Sequence, residues 1–210
     1  MNNTTVVYFT SNQEKPSFEE KIQANLLATI GDMPLISVSQ KPIDFGENIC
    51  IGDVGITNHN AWRQLQIGAE AAKTKFVCAA ESDYLYSWPY FAFIPREHDV
   101  AYRPDNVWVL FALRNRIKVF IKKPYGTETT IIVGTDYLIN TIEDMLKGEM
   151  WGNEFVDQDL LDYSFFHNSI PIITFKTDNN MHRKAPVLKS TQCRELFPWG
   201  YANDLIKEYL

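Results

Sequence analysis

Short apolar runs alternate with amphipathic stretches through the first third of the chain. Residues 5–10 (TVVYFT) are β-branched and aromatic without interruption, the pattern of a strand buried on both faces. Ser11, Asn12 and Gln13 end it with loop chemistry. Ser17 with Glu20 three positions later reads as a capping box, so a helix is expected over 18–30, closed by Gly31. Residues 35–39 read as a second strand and 41–46 as a turn-rich loop. Residues 48–51 read as a short strand, followed by a glycine-punctuated loop over 52–55. Asn58 or Asn60 is the expected cap of the next helix. Within it Trp62, Leu65, Ala69 and Ala72 share one stripe, with Arg63, Gln64, Glu70 and Lys73 off it. Residues 75–80 (KFVCAA) then read as a buried central strand. The order strand, helix, strand, loop, helix, strand implies parallel pairing with right-handed crossovers.

The rhythm changes after residue 84. Residues 105–111 and 116–121 read as neighbouring strands, the second alternating Arg116 and Lys118 with apolar positions. Residues 129–133 and 170–175 read as further strands, 134–147 and 204–210 as helices. The expected fold class is therefore α/β. A mixed sheet has a parallel N-terminal half flanked by helices, and an α+β C-terminal half lies against it.

Composition narrows the class. The 210 residues are 45% hydrophobic and 13% aromatic, enough for one substantial core and hence one domain, 1–210. A net charge of −6 argues against a nucleic-acid protein on bulk charge. The charge is uneven, however. Five basic residues and no acid fall within 114–123, nine acids and one Lys within 128–162, and 176–194 is basic again. Such stretches are either solvated faces or local patches for an anionic partner. Cys50, Cys78 and Cys193 are far apart and form no CxxC, which fits a reducing, cytoplasmic setting. The opening residues carry no basic, apolar leader, and no window nears ~18 apolar residues, so neither a signal peptide nor a membrane span is expected.

The chemistry concentrates in Glu81-Ser82-Asp83-Tyr84, at the carboxyl end of the expected central strand. Ligands of open α/β sheets bind at that end. Carboxylates at i and i+2 there can hold a hard divalent cation, and the cation a diphosphate. The alternative is two solvated residues opening a loop. No GxGxxG or Walker loop is present, so a metal is the natural diphosphate anchor. Trp88, Tyr84, Tyr86 and Tyr90 crowd the following loop, as a platform for a sugar or as core. Trp199-Gly200 is a further candidate to fold back on the site. His59, His98, His167 and His182 show no metal-ligand spacing and read as surface or loop residues.

Several stretches together resemble a known family. They are residues 34–46 (PLISVSQKPIDFG), 48–52 (NICIG), 64–75, the series Glu81-x-Asp83-x-Leu85-Tyr86 with Tyr90-Phe91-x-Phe93-x-Pro95, then Tyr102-x-x-x-Asn106-Val-Trp108 and, more loosely, 172–180 (IITFKTDNN). This pattern resembles the GT-A-fold glycosyltransferases of bacteria and bacteriophages. The resemblance implies a nucleotide-sugar donor, usually UDP-linked, in the half formed by 1–95, with an acceptor-side half over 96–210. It implies Asp83 as ligand of Mn²⁺ or Mg²⁺, and Glu81 on the ribose or a metal-bound water. It also implies Thr10 and Asn12 at the base or ribose, and Arg63 at the base or diphosphate.

Ser82 stands where relatives often carry His or Asp. The late metal-ligating His of many relatives aligns here with Thr177, followed by Asp178, with His182 five positions beyond. Asp178, His182 or water is then the third metal contact. An inverting transfer needs a carboxylate base near the acceptor hydroxyl. Glu154, Asp157 and Asp159 in the acidic segment 151–159 are the candidates, and favourable helix-start acids are the alternative. A retaining transfer needs no such base. Hydroxymethylated pyrimidines in duplex DNA are one expected acceptor, tracked by 114–123 and 183–194, and a glycan is the other. A catalytically degenerate nucleotide- or glycan-binding module on the same fold is the second reading. A sugar nucleotidyltransferase is the third, without its usual glycine-rich signature around 10–15.

Overall fold

In chain order the elements are β1 (Thr4–Thr10), α1 (Pro16–Ile30), β2 (Leu35–Ser39), β3 (Glu47–Cys50), α2 (Asn58–Ala71), β4 (Phe76–Glu81), β5 (Tyr84–Leu85) and α3 (Trp88–Phe91). They continue with β6 (Ala101–Pro104), β7 (Val107–Phe111), β8 (Phe120–Lys122), β9 (Ile132–Gly134), α4 (Thr135–Leu146), β10 (Tyr163–Phe166) and β11 (Ile172–Lys176). Short strands β12 (Gln192–Cys193), β13 (Glu195–Leu196) and β14 (Gly200–Tyr201) lead into α5 (Ala202–Tyr209). The computed structural model describes residues 3–111, 118–123, 129–152, 161–180 and 190–210.

Two sheets carry the fold. The larger has the order β10-β6-β9-β4-β1-β2-β3, with β1, β2, β3 and β4 parallel and β9 antiparallel between β4 and β6. The smaller has the order β12-β8-β7-β11-β5. This is the expected parallel first half, completed into a mixed sheet by strands from the second half. The run in β1 alternates between two cores because successive strand residues face opposite sides. Val6 and Tyr8 join one cluster with Cys78 and Ala80, while Val7 and Phe9 join the other with Trp62 and Leu65 of α2.

Helix α1 serves both sheets. Phe18, Ile22, Leu26 and Ile30 recur every four residues, and each such step overshoots a full turn by about 40°. The stripe therefore winds around the helix. Phe18 and Ile22 pack with the second sheet's Phe120 and Phe175, whereas Leu26 and Ile30 pack with Val6 and Tyr8. Helix α2 lies close on the first sheet because Gly68 has no side chain there. A Cβ at Gly68 would sit 2.3 Å from Val7 Cγ1.

Both expected helix caps differ. Helix α1 starts at Pro16 with Lys15 at the N-cap and no side-chain cap, so the Ser17–Glu20 box does not form. Proline fixes φ and lacks the N–H that would be orphaned at that position, which starts the helix earlier. Helix α2 is capped by Thr57, whose hydroxyl accepts the Asn60 N–H at 3.1 Å. Asn60 is instead committed to the preceding loop through Val54 O, and to the Gly152 N–H. Arg63 and Gln64, off the apolar stripe, are nevertheless buried by polar partners. His59 is buried too, with Nε2 3.2 Å from Glu149 O, rather than lying at the surface. Strands β5, β6, β10 and β12–β14, and helix α3, are too short to register as periodic patterns. No helix among the described residues is long and apolar enough to cross a membrane.

Candidate functional site

A cleft of about 260 Å³ opens at the carboxyl ends of β1 and β4. Parallel register sets Phe9 beside Glu81, so the tips of both strands meet there. The buried run of β4 thus delivers Glu81 to the cleft floor, and Asp83 follows one residue beyond Ser82. Strand β5 then pairs antiparallel with β11, Tyr84 opposite Thr174. That pairing carries the segment after β11 up to Asp83. The Phe175 N–H donates to Asp83 O at 2.8 Å.

Two side chains meet one oxygen of the Asp83 carboxylate. Asn180 Nδ2 donates to Oδ2 at 2.8 Å and also to Phe175 O at 3.0 Å. Asn180 Oδ1 accepts the Thr177 N–H at 2.9 Å, which fixes the amide's orientation. Lys176 Nζ lies 3.6 Å from the same Oδ2. Glu81 accepts a hydrogen bond from the Thr129 hydroxyl, and its N–H donates to Tyr86 Oη at 2.9 Å. Both carboxyls are pushed up from their usual range by burial. The negative Asp83 adds to the shift of Glu81, while Lys176 and Lys123 pull both back. Glu14, which also lines the cleft, accepts from the Thr177 hydroxyl at 2.5 Å and is also raised by burial.

Thr10 lines the cleft, but its hydroxyl is engaged behind it, donating to Glu19 Oε1 at 2.9 Å. Asn12 is not among the lining residues. It takes a left-handed backbone, φ 53°, which asparagine tolerates. Its side chain staples the loop instead, donating to Glu19 Oε2 and accepting the Lys41 N–H at 2.8 Å. Burial pushes the Glu19 carboxyl up to about 7, against the lowering hydrogen bonds from Thr10 and Asn12. Arg63 is directed to α4 and not to the cleft. It pairs with Glu143 at 2.7 Å and donates to Gln66 Oε1 and Glu149 O. Its neighbour Gln64 takes the cleft position, donating to Thr10 O and Val38 O at 2.9 and 3.1 Å and tying the ends of β1 and β2 together.

The amino end of α2 forms another wall through Thr57, Asn58 and Ala61. The helix dipole favours an anion there. Asp178 is exposed and does not line the cleft. Glu154, Asp157, Asp159 and His182 lie outside the described residues. Among the described residues no group of three or more His, Cys, Asp or Glu is placed to hold a metal. The donors present nonetheless suit a Mg²⁺-like ion, which is commonly bound by one or two carboxylates plus phosphate oxygens and water. Two mutually repelling, buried carboxyls gain from a shared cation.

Tyr84, Tyr86 and Tyr90 are core, stacked with centroids 5.5 and 5.2 Å apart. Their contribution to the site is to seat Glu81 through Tyr86. Lys176, Asn180, Thr129, Glu14 and Gln64 were not singled out from the sequence as site residues. The signal for Lys176 to Asn180 was their place at the carboxyl end of a buried strand. Gln64 opened one of the resembling stretches, whereas Thr129 had no signal, since its partner Glu81 is 48 positions away.

No protein-family model matches the sequence, and no curated protein matches it either. Solved structures do. S. aureus TarS 1-349 in complex with UDP-GlcNAc superposes with a TM-score of 0.53 at 12% identity, over 84% of this chain and 59% of that one. TarS 1-349 in another structure gives 0.51 at 13% identity, over 82% and 60%. The glycosyltransferase GlyE of Streptococcus pneumoniae TIGR4 gives 0.45 at 11% identity, over 79% and 45%. The chain thus spans less than two thirds of each of these solved chains. The fold is GT-A-like, a mixed α/β sheet with helix-flanked parallel strands.

Proposed function

We propose that the cleft binds a nucleoside-diphosphate sugar, UDP-linked, and that the protein transfers its sugar to a hydroxyl acceptor. The observation that carries this reading is the convergence of Glu81 and Asp83 with the amino end of α2 on one cleft at the carboxyl ends of β1 and β4. The TarS structure with UDP-GlcNAc shares this fold, which supports the donor class. Asp83 would hold Mn²⁺ or Mg²⁺ with Glu81 in support. Such an ion, when bound, neutralises charge on the leaving diphosphate. The chain's own residues do the remaining work. Asn180 orients the Asp83 carboxylate, Thr129 holds Glu81, and Gln64 fixes the strand tips that form the nucleotide floor. Titration calorimetry with UDP checks this. UDP is expected to bind, and more tightly with Mn²⁺; no binding in either condition overturns the reading.

One observation favours a metal-independent variant. Lys176 already places an ammonium 3.6 Å from Asp83. In that variant Lys176 supplies the positive charge, and UDP affinity is the same in EDTA as in Mn²⁺.

For the acceptor we propose duplex DNA carrying hydroxymethylated pyrimidines. Lys123, at the end of the basic stretch, acts electrostatically on both Glu81 and Asp83, which supports a positive contact of this residue with an anionic acceptor near the cleft. The candidate bases Glu154, Asp157 and Asp159 belong to this acceptor-side proposal. Binding of such a duplex is expected to weaken steeply between low and high salt, by about tenfold or more for a few phosphate contacts. A flat salt response sets DNA aside in favour of a glycan acceptor.

A further inference from the structure

Lys176 ends β11, and Phe175 before it packs its ring on Phe18 in the core of the second sheet. Successive strand residues face opposite sides, so the lysine is turned out of that core and lines the cleft. Among the described residues that line the cleft, Lys176 alone is basic, against Glu14, Glu81 and Asp83. Its charge reaches all three acids. Burial raises each carboxyl, and Lys176 pulls each back. The carboxylate of the pair is fixed, because Asn180 and the Phe175 N–H hold Asp83 by side chain and backbone. The ammonium is less tightly held. Its side chain is 28% exposed, and Nζ lies 3.6 Å from Asp83 Oδ2, longer than a tight charge-assisted hydrogen bond. A flexible four-carbon stem lets it move.

We propose that Lys176 is a counter-ion that changes partner: it neutralises Asp83 until the donor binds, and then contacts the donor's diphosphate. Three carboxyls and one ammonium repel a diphosphate on balance. With a divalent ion at Glu81 and Asp83, Lys176 is repelled by like charge, and the anionic oxygens of the diphosphate become its best acceptors. Lys176 thus opposes the cation bound alone and favours cation and diphosphate bound together, which couples the entry of one to the other. The inference rests on the donor reading above and adds a diphosphate-binding residue to it.

Lys176→Gln tests it through two titrations whose expected signs are opposite. Electron paramagnetic resonance of free Mn²⁺ reads the cation alone. Lys176→Gln is expected to bind Mn²⁺ more tightly than the parent, by about threefold or more, since the neighbouring ammonium is gone. Calorimetry with UDP in saturating Mn²⁺ reads the pair, and the same variant is expected to bind UDP at least about tenfold more weakly. Uridine carries no phosphate, so its affinity should be the same in both proteins, which also shows that the variant's cleft is intact. Lys176→Arg should restore UDP binding. Lys207→Gln, which removes one charge from the exposed face of α5, should match the parent throughout. In the parent itself, UDP with Mn²⁺ should shield Lys176 from acylation by acetic anhydride, read by mass spectrometry, and uridine should not. UDP affinity of Lys176→Gln equal to the parent's, Mn²⁺ affinity no higher than the parent's, or acylation of Lys176 unchanged by UDP overturns the proposal and leaves the donor reading standing. Absence of UDP binding by the parent overturns the donor reading and this inference with it.

Discussion

Asp83→Asn is expected to lower sugar transfer from a UDP-sugar by about a thousandfold or more, the size seen when a principal charge-stabilising group is lost. The same substitution is expected to leave the fold at least as stable at neutral pH. Both expectations come from the environment of one carboxylate. Asp83 is buried, and burial raises its affinity for a proton. Lys176 and Asn180 offset part of that penalty. A neutral amide of the same shape removes the buried charge, keeps a side-chain oxygen for Asn180 to address, and removes the anion that a cation or Lys176 would meet. Turnover assays and urea unfolding on the same preparation separate the effects. Full activity of a folded Asp83→Asn protein would remove Asp83 from the mechanism. Lost activity with unfolding would make it a structural residue.

Glu19→Gln is expected to flatten the dependence of stability on pH between about 4.5 and 8. Glu19 is only 5% exposed, and its carboxyl is pushed up to about 7 from 4.5. A carboxyl with a raised folded-state pKa binds its proton more tightly when folded. Its contribution is therefore fully present below the unfolded value of 4.5, and is lost as pH rises through about 7. A shift from 4.5 to about 7 corresponds to about 3 kcal/mol of stability lost across that window. The groups facing Glu19 push in both directions. Glu14 raises it, while Thr10, Asn12 and Lys41 lower it. Glutamine keeps an oxygen for the Thr10 hydroxyl and has no charge to bury. Urea unfolding free energies at pH 5 and pH 8 should therefore differ by about 3 kcal/mol less in Glu19→Gln than in the parent. Equal pH slopes would show that Glu19 is hydrated or reorganised in solution. Because Glu19 backs Thr10 and Asn12, its ionisation also reaches the loop beside the cleft.

The outline of the first half was legible because it depends on local periodicity. The runs in β1 and β4 are apolar on both faces, and only a strand covered by helices tolerates that; β2 is apolar on one face, with Ser37 and Ser39 on the other. From three strands with helices between them, parallel pairing follows, and with it the carboxyl-end position of Glu81 and Asp83. The second half was less legible because its strands are two to five residues long and take their meaning from partners far away. Helix caps failed for a local reason: Pro16 and Thr57 competed with Ser17 and Asn60 for the same helix starts, and propensity alone does not rank them.

The sequence by itself determined a helix-flanked parallel sheet and put two carboxylates at its carboxyl end. Periodicity and strand order are properties of neighbouring residues, so they survive reading in one dimension. Only the tertiary structure decided which polar residues serve those carboxylates. Asn180 and Lys176 reach Asp83 because β5 pairs with β11, a contact spanning about ninety residues. Arg63 turns to Glu143 while Gln64 turns to the strand tips, although the two are adjacent on one helix. A step of one residue rotates a helical side chain by about 100°, and the packing of α2 between β1 and α4 chose the direction of each.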